Sequence, residues 1–141
     1  MSLYEKSDSL YKWRLYEYRS PNGRLGITDW RKKMPAGPAR ADLDTFLRDM
    51  TKREVWKYPD IDQLRGDQYK AFTELRWKSC KKQHRIFGRQ LAGHEYLMII
   101  GCTHKDDVYD PPGVWESLIE RNKQIESGEA TYIEYSLIVS G

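Results

Sequence analysis

The residues best suited to chemistry lie in one basic stretch between Glu74 and Glu95. No acidic residue occurs between these two glutamates. The stretch contains the following basic or titratable side chains: Arg76, Lys78, Lys81, Lys82, His84, Arg85, Arg89 and His94. Positive charge concentrated in this way attracts the phosphates of nucleic acid, whatever the base sequence, and the attraction weakens with salt. Since the net charge of the whole chain is only +3, the sequence predicts one local basic surface.

The remaining composition argues against several other kinds of site. The two cysteines, Cys80 and Cys102, have neither the number of a disulfide scaffold nor the spacing of zinc ligands, so we expect free thiols in a reducing, cytoplasmic compartment. The sequence contains no Gly-rich phosphate loop and no His/Cys cluster, so we expect no metal and no other cofactor. Residues 1–9 lack the apolar segment of a signal peptide, and the longest apolar run, residues 96–100, is too short to span a membrane.

The pattern of apolar residues predicts the elements that must position the basic stretch. The length of 141 residues favours a single domain. Alternation of apolar and polar side chains predicts half-buried strands, and one continuous apolar run predicts a central strand. These strands are expected at residues 11–18, 72–79, 83–91 and 96–102, with Glu74, Arg76 and Lys78 on one face and Arg85, Phe87 and Arg89 sharing a face.

Helical spacing predicts three helices around these strands. Thr28 is a suitable N-cap for a short helix, and residues 38–52 carry one apolar stripe. A last helix is expected at residues 112–128, and residues 56–68 are expected to form a loop. We therefore predict an α+β fold in which an antiparallel sheet is packed by an N-terminal helical hairpin and a C-terminal helix. In this single domain, 1–141, the core spans about 11–128, and residues 129–141 form a tail or an extra strand.

Short motifs along these elements occur in an order that resembles the RelE/HigB toxins of type II toxin–antitoxin systems, particularly the phage-derived branch. The motifs are Gly26, Asp29-Trp30, Leu64…Gly66, Glu74-Leu75-Arg76, Arg85-Ile86-Phe87, Leu97-Met98-Ile99-Ile100-Gly101, His104-Lys105 and Pro111-Pro112. Together they cover roughly residues 11–128. The chain departs from the family at Asp106-Asp107, where many relatives carry further basic residues.

The resemblance implies a RelE-like fold and an endoribonuclease that cuts mRNA on the ribosome, with a cognate antitoxin as protein partner. Such a cut needs no metal, because a ribose 2′-OH attacks the adjacent phosphorus. The enzyme must remove a proton, stabilise charge on the phosphate oxygens and protonate the leaving 5′-oxygen. Two alternatives remain open at this point. One is a toxin of the same fold that inhibits a protein target such as gyrase without cleaving RNA, and the other is a catalytically inactive phage RNA-binding protein.

Four residues are candidate catalytic groups. Arg85 would hold the phosphate, because a guanidinium fork matches two phosphate oxygens, and Arg76 could meet the same phosphate. Glu74 is either a base or an ion-pair partner that orders the arginines. His104, expected just after the apolar strand, can give and take protons near neutral pH, whereas His84 is expected at the surface. The expected RNA-binding residues are Lys78, Lys81, Lys82, Arg89, Lys105 and, by stacking on an unpaired base, Tyr109.

Overall fold

One mixed sheet organises the chain, as seen in a computed structural model that describes residues 11–137. The strands are β1 (Arg14–Arg19), β2 (Ile61–Gln63), β3 (Thr73–Ser79), β4 (Lys82–Gln90), β5 (Glu95–Lys105), β6 (Val108–Asp110) and β7 (Thr131–Glu134). The helices are α1 (Thr28–Lys33), α2 (Pro38–Lys52) and α3 (Val114–Ser127). The strands run in the order β2-β3-β4-β5-β1-β7, and β6 pairs with β5. The predicted α+β class is therefore confirmed.

The sheet is not purely antiparallel, and this part of the prediction is wrong. β1 runs parallel to β5, with Leu15 opposite Tyr96, whereas the other strand pairs are antiparallel. Alternation of side chains reports which face of a strand is buried, but it does not report which strand lies beside it or in which direction. The pattern that predicted β1 therefore could not predict the direction in which this strand runs.

Apolar side chains cover both faces of the sheet, and different helices pack on each. On one face, α2 contributes Leu43, Leu47 and Met50 to a core shared with Leu15, Leu75 and Ile86. On the other, α3 contributes Val114 and Leu118 to a core shared with Phe87, Leu97 and Ile99. Arg31 of α1 binds both carboxylate oxygens of Asp44 in α2, each at 2.8 Å. The apolar stripe predicted for residues 38–52 is thus the buried side of α2.

Several local predictions change in the structure. The predicted loop at residues 56–68 contains β2, which pairs with β3, and β6 was not predicted. β5 extends to Lys105, so His104 lies within the strand instead of after it. Of the two alternatives for residues 129–141, a tail or an extra strand, the strand is present as β7, which pairs with β1. Residues 138–141 of that segment lie outside the described residues.

The start of α1 is capped from another element. Thr28 is the first helical residue instead of the N-cap, which is Ile27. The carboxylate of Glu17 in β1, only 2 % exposed, accepts hydrogen bonds from the backbone N–H groups of Ile27 and Thr28 at 2.9 and 2.7 Å. The carboxylate also accepts a hydrogen bond from the Thr28 hydroxyl at 2.6 Å. Glu17 therefore ties α1 to the sheet.

Replacing Glu17 with alanine is expected to lower the free energy of unfolding by about 3 kcal/mol, because several donors lose their acceptor in a site closed to water. Urea unfolding followed by far-ultraviolet circular dichroism measures this change. Glu17→Gln keeps one side-chain acceptor and should lose less. Glu54→Ala, at an exposed position, is the matched control. An equal loss in Glu17→Ala and Glu54→Ala would contradict the role assigned to this carboxylate.

Candidate functional site

Polar side chains from four neighbouring strands share the sheet face on which α3 packs. The cross-strand register places Arg76, Arg85 and Cys102 in one row. The adjacent row contains Lys78, Gln83, His104 and Tyr109. We call this surface the polar face, and it comprises Glu74, Arg76, Lys78, Arg85, His104 and Tyr109. Residues of two neighbouring rows are diagonal neighbours about 7–8 Å apart, so the long side chains of Arg85 and His104 can meet one substrate group.

Glu74 holds both arginines of the polar face. Its carboxylate is buried, and its Oε2 accepts a hydrogen bond from Arg85 Nη1 at 2.9 Å while Oε1 lies 3.6 Å from Arg76 Nη1. The three charged ends therefore lie together on one face. Alternation predicts this for Glu74 and Arg76, and the register of β3 with β4 adds Arg85. Since both carboxylate oxygens are engaged by guanidinium groups, the geometry favours the ion-pair interpretation of Glu74 over that of a base.

Arg76 is bound more extensively than Arg85. Its Nε donates to the Pro59 carbonyl at 2.9 Å, its Nη1 lies 3.8 Å from Asp62 Oδ2, and its guanidinium lies 4.8 Å from the centre of the Tyr58 ring. These contacts come from the segment around β2, which the sequence predicted as a loop. For that reason the sequence did not identify Asp62 as a partner of Arg76. Arg76 is therefore better placed to hold the segment around β2 and the Glu74 carboxylate in position than to bind a phosphate.

Two buried nitrogens on the polar face have no hydrogen-bond partner within the described part of the chain. They are Arg85 Nε and His104 Nε2. Residue His104 is 8 % exposed, and its Nδ1 lies 3.0 Å from the carbonyl oxygen of Asp106. Because a carbonyl can only accept, Nδ1 carries the hydrogen, and Nε2 of the neutral ring offers a lone pair. A buried polar atom without a partner is unfavourable by about 1–3 kcal/mol, so both nitrogens are suited to a ligand.

Aromatic rings border this pair. Tyr109 of β6 stacks on the His104 imidazole with a centroid distance of 4.7 Å. Trp115 of α3 lies 6.2 Å from Tyr109 and 4.8 Å from Phe87. The half-buried Tyr109 therefore already has a stacking partner on one face, and this contact orients the imidazole.

Cys102 lies in the same row as Arg85 but is unsuited to act as a nucleophile. Its side chain is buried, and burial raises the pKa of the Cys102 thiol to about 12. The thiolate is the reactive form of cysteine. The polar face therefore offers a guanidinium and an imidazole, which suit anion binding and proton transfer.

The predicted RNA-binding residues are divided among different surfaces. Lys78 is exposed on the polar face, and Lys81 and Lys82 are exposed at the β3–β4 turn, where Cys80 and Lys81 have φ angles of 54° and 65°. Arg89 donates from Nε to Asn122 Oδ1 of α3 at 2.9 Å, which uses part of its guanidinium. Lys105 is exposed, but it follows His104 in β5 and so projects from the opposite side of the strand.

The prediction that His84 lies at the surface is wrong. His84 is 3 % exposed, with Nδ1 3.0 Å from Thr103 Oγ1 and Nε2 3.2 Å from the Ser79 carbonyl. It stacks on Trp77 on the α2 side of the sheet. A position next to a turn suggested exposure, but the strand alternation already placed His84 on the face opposite Arg85.

Neither a metal site nor a membrane-spanning helix is found in the part of the chain that the structure describes. Residues 11–137 contain no group of three or more His, Cys, Asp or Glu side chains placed to hold a metal ion. In the same range, none of the helices combines the length and the apolar character needed to cross a membrane. Comparison with protein-family models, with curated proteins and with solved structures found no match to this chain.

Proposed function

We propose that this protein is a toxin of the RelE/HigB type that cuts translated mRNA on the ribosome by attack of a ribose 2′-OH on the adjacent phosphorus. The observation that carries the proposal is the pair of unpartnered buried nitrogens, Arg85 Nε and His104 Nε2, on one sheet face. One is a fixed hydrogen-bond donor for a phosphate oxygen, and the other can take a proton. A phosphodiester with a neighbouring 2′-OH presents complementary groups.

Each step uses a separate group. His104 Nε2 removes the proton of the 2′-OH, the new bond forms between O2′ and phosphorus, and the bond from phosphorus to O5′ breaks. Water protonates the leaving 5′-oxygen, so a 2′,3′-cyclic phosphate and a 5′-hydroxyl result. Arg85 neutralises the charge that grows on the phosphate oxygens, and Glu74 holds its guanidinium in place. The proposed partners are the ribosome with its mRNA and a cognate antitoxin, and the proposed location is the cytoplasm.

Primer extension on a translated message, with and without induction of the protein in a bacterium, tests this proposal. We expect growth arrest and new 5′ ends within coding regions. Blocking translation before induction should remove the cuts, because the ribosome presents the message. Growth arrest with intact messages would contradict the nuclease and indicate inhibition of another target. Without arrest or cleavage, the protein would be an inactive RNA-binding member of the fold.

The exposed turn between β3 and β4 is expected to attract the RNA backbone. Replacing both Lys81 and Lys82 with alanine should weaken binding to ribosomes and reduce the slope of log K against log salt by up to about 2, about one unit per lost phosphate contact. Equilibrium binding at several salt concentrations measures this slope. Lys52→Ala/Lys57→Ala, which removes the same charge at other exposed positions, is the control. If both double variants change the slope equally, the turn has no special role.

A further inference from the structure

A second site is suggested by a break in the pairing of β5. Along one edge, β1 pairs with β5 as far as Met98, and β6 pairs with it only from Thr103 onward. In the interval, the carbonyl of Ile99 accepts a hydrogen bond from Arg121 Nη1 of α3 at 3.0 Å. A cavity of about 890 Å³ opens here, lined by Gly101, by α1 and by the segment after α1. We call it the α1 cavity.

The lining of the α1 cavity is rich in cations. Arg24, Lys32, Lys33 and Lys82 line it, are exposed, and form no salt bridge with another residue in the range 11–137. Two acids, Asp29 and Asp110, also line it, and Asp29 Oδ2 already accepts the backbone N–H of Leu25 at 2.9 Å. The cavity thus has an excess of uncompensated positive charge, which suits an anionic ligand.

One wall of the α1 cavity is flat and aromatic. The half-buried indole of Trp30 lies against the backbone of β5 at Gly101, where a Cβ atom would be only 2.3 Å from the ring. Nearby, His84 is buried, and its burial, with a further effect of the Lys82 charge, lowers the pKa of its imidazole. The imidazole is therefore neutral at physiological pH and leaves the charge of the cavity to the lysines and arginines.

We infer that the α1 cavity binds a nucleoside phosphate, either free or as one nucleotide of an RNA strand. Lysines and an arginine at the rim match a phosphate, and an indole wall with a nearby unpaired strand edge matches a base that stacks and forms hydrogen bonds. The volume lies within the range of about 300–1,000 Å³ typical of small-molecule sites. Arg85 and His104 are not among the described residues that line the α1 cavity, and His84 and Thr103 of its wall lie on the opposite sheet face. Occupancy therefore does not depend on the proposed cleavage.

Isothermal titration of the purified full-length protein with adenosine 5′-monophosphate tests this site without ribosomes. Lys32→Ala/Lys33→Ala should weaken binding at least about tenfold, which corresponds to one lost charge-assisted hydrogen bond. Lys70→Ala/Lys123→Ala removes equal charge from exposed positions outside the lining and should change the affinity by no more than about twofold. Equal losses in the two double variants would overturn the inference. Adenosine and inorganic phosphate, titrated separately, should each bind more weakly than the monophosphate.

A short single-stranded RNA distinguishes the two sources of the nucleotide. One outcome is that the RNA binds but the monophosphate does not. If Lys32→Ala/Lys33→Ala then weakens the RNA complex about tenfold more than the control variant does, the site binds one nucleotide of a strand. If neither ligand is affected by this variant, the α1 cavity is not a nucleotide site. Trp30→Leu should weaken the monophosphate more than inorganic phosphate, because only the former has a base to stack. Equal effects on both would overturn the assignment of a base to the indole.

Discussion

Arg85→Lys is expected to lower the rate of mRNA cleavage by about 10³-fold and to abolish growth arrest while the protein stays folded. Lysine keeps a positive charge beside the buried Glu74, but it has no Nε–H in a planar fork. Removing one such donor from a developing oxyanion costs about 10²–10³-fold, and losing an arginine at a phosphoryl group about 10³–10⁵-fold. Single-turnover cleavage on programmed ribosomes measures the rate.

Alanine is a less suitable replacement than lysine at this position. An arginine on an open sheet face would contribute little to stability, but the Arg85 side chain is only 22 % exposed and is paired with a carboxylate that is nearly buried. Arg85→Ala would remove one partner of a buried charge, which is strongly destabilising. Arg65→Lys, in an exposed loop, is the matched control for the lysine variant. Normal cleavage by Arg85→Lys would exclude Arg85 as the phosphate-binding group.

Replacing His104 with alanine is expected to slow cleavage by about 10²–10⁴-fold, the usual contribution of a general acid or base. The physical reason is that Nε2 has no hydrogen-bond partner among residues 11–137 and can accept a proton. The hydrogen bond from Nδ1 to the Asp106 carbonyl sets the tautomer of the imidazole. Because the substitution leaves a gap the size of the ring beside Tyr109, added imidazole should restore part of the rate. The same single-turnover assay, repeated over a range of imidazole concentrations, measures both effects.

A structural role for His104 would give a different result. If the imidazole only supported Tyr109, the variant would lose stability and imidazole would not restore catalysis in proportion to its concentration. His94→Ala, at an exposed position at the other end of β5, controls for the loss of a histidine. An unchanged cleavage rate in His104→Ala would remove this residue from the mechanism and leave Arg85 as a binding group without a proton acceptor nearby.

Local periodicity was sufficient to predict the elements that carry the polar face. α2 begins and ends where its apolar stripe does, and the alternation in β3 groups Glu74 with Arg76, as that in β4 groups Arg85 with Phe87. Both patterns depend on neighbours within the same element, so the sequence alone contains them. The segment of β5 that contains His104 was less well predicted, because its extension depends on pairing with β6 across a two-residue turn.

Features that depend on distant residues could not be predicted. From the sequence, Glu17 looked like an ordinary polar residue of a half-buried strand. It is instead buried, because its carboxylate accepts hydrogen bonds from backbone N–H groups at the start of α1. The α1 cavity likewise depends on where β1 leaves β5, and Arg76 is held by a segment whose fold is decided by its pairing with β3. In each case the partner is supplied by tertiary structure instead of sequence spacing.

The parallel pairing of β1 with β5 also determines when the sheet can be completed during synthesis. Tyr16 and Glu95, which are hydrogen-bonded across this pair, are 79 residues apart in the chain. β3, β4 and β5 can pair through short turns, whereas β1 must close a long loop, and such non-local contacts form late. At a translation speed of about 5–20 residues per second, β1 waits roughly 4–16 s for its partner. During that time its apolar side chains, Leu15 among them, are exposed to chaperones and to neighbouring nascent chains.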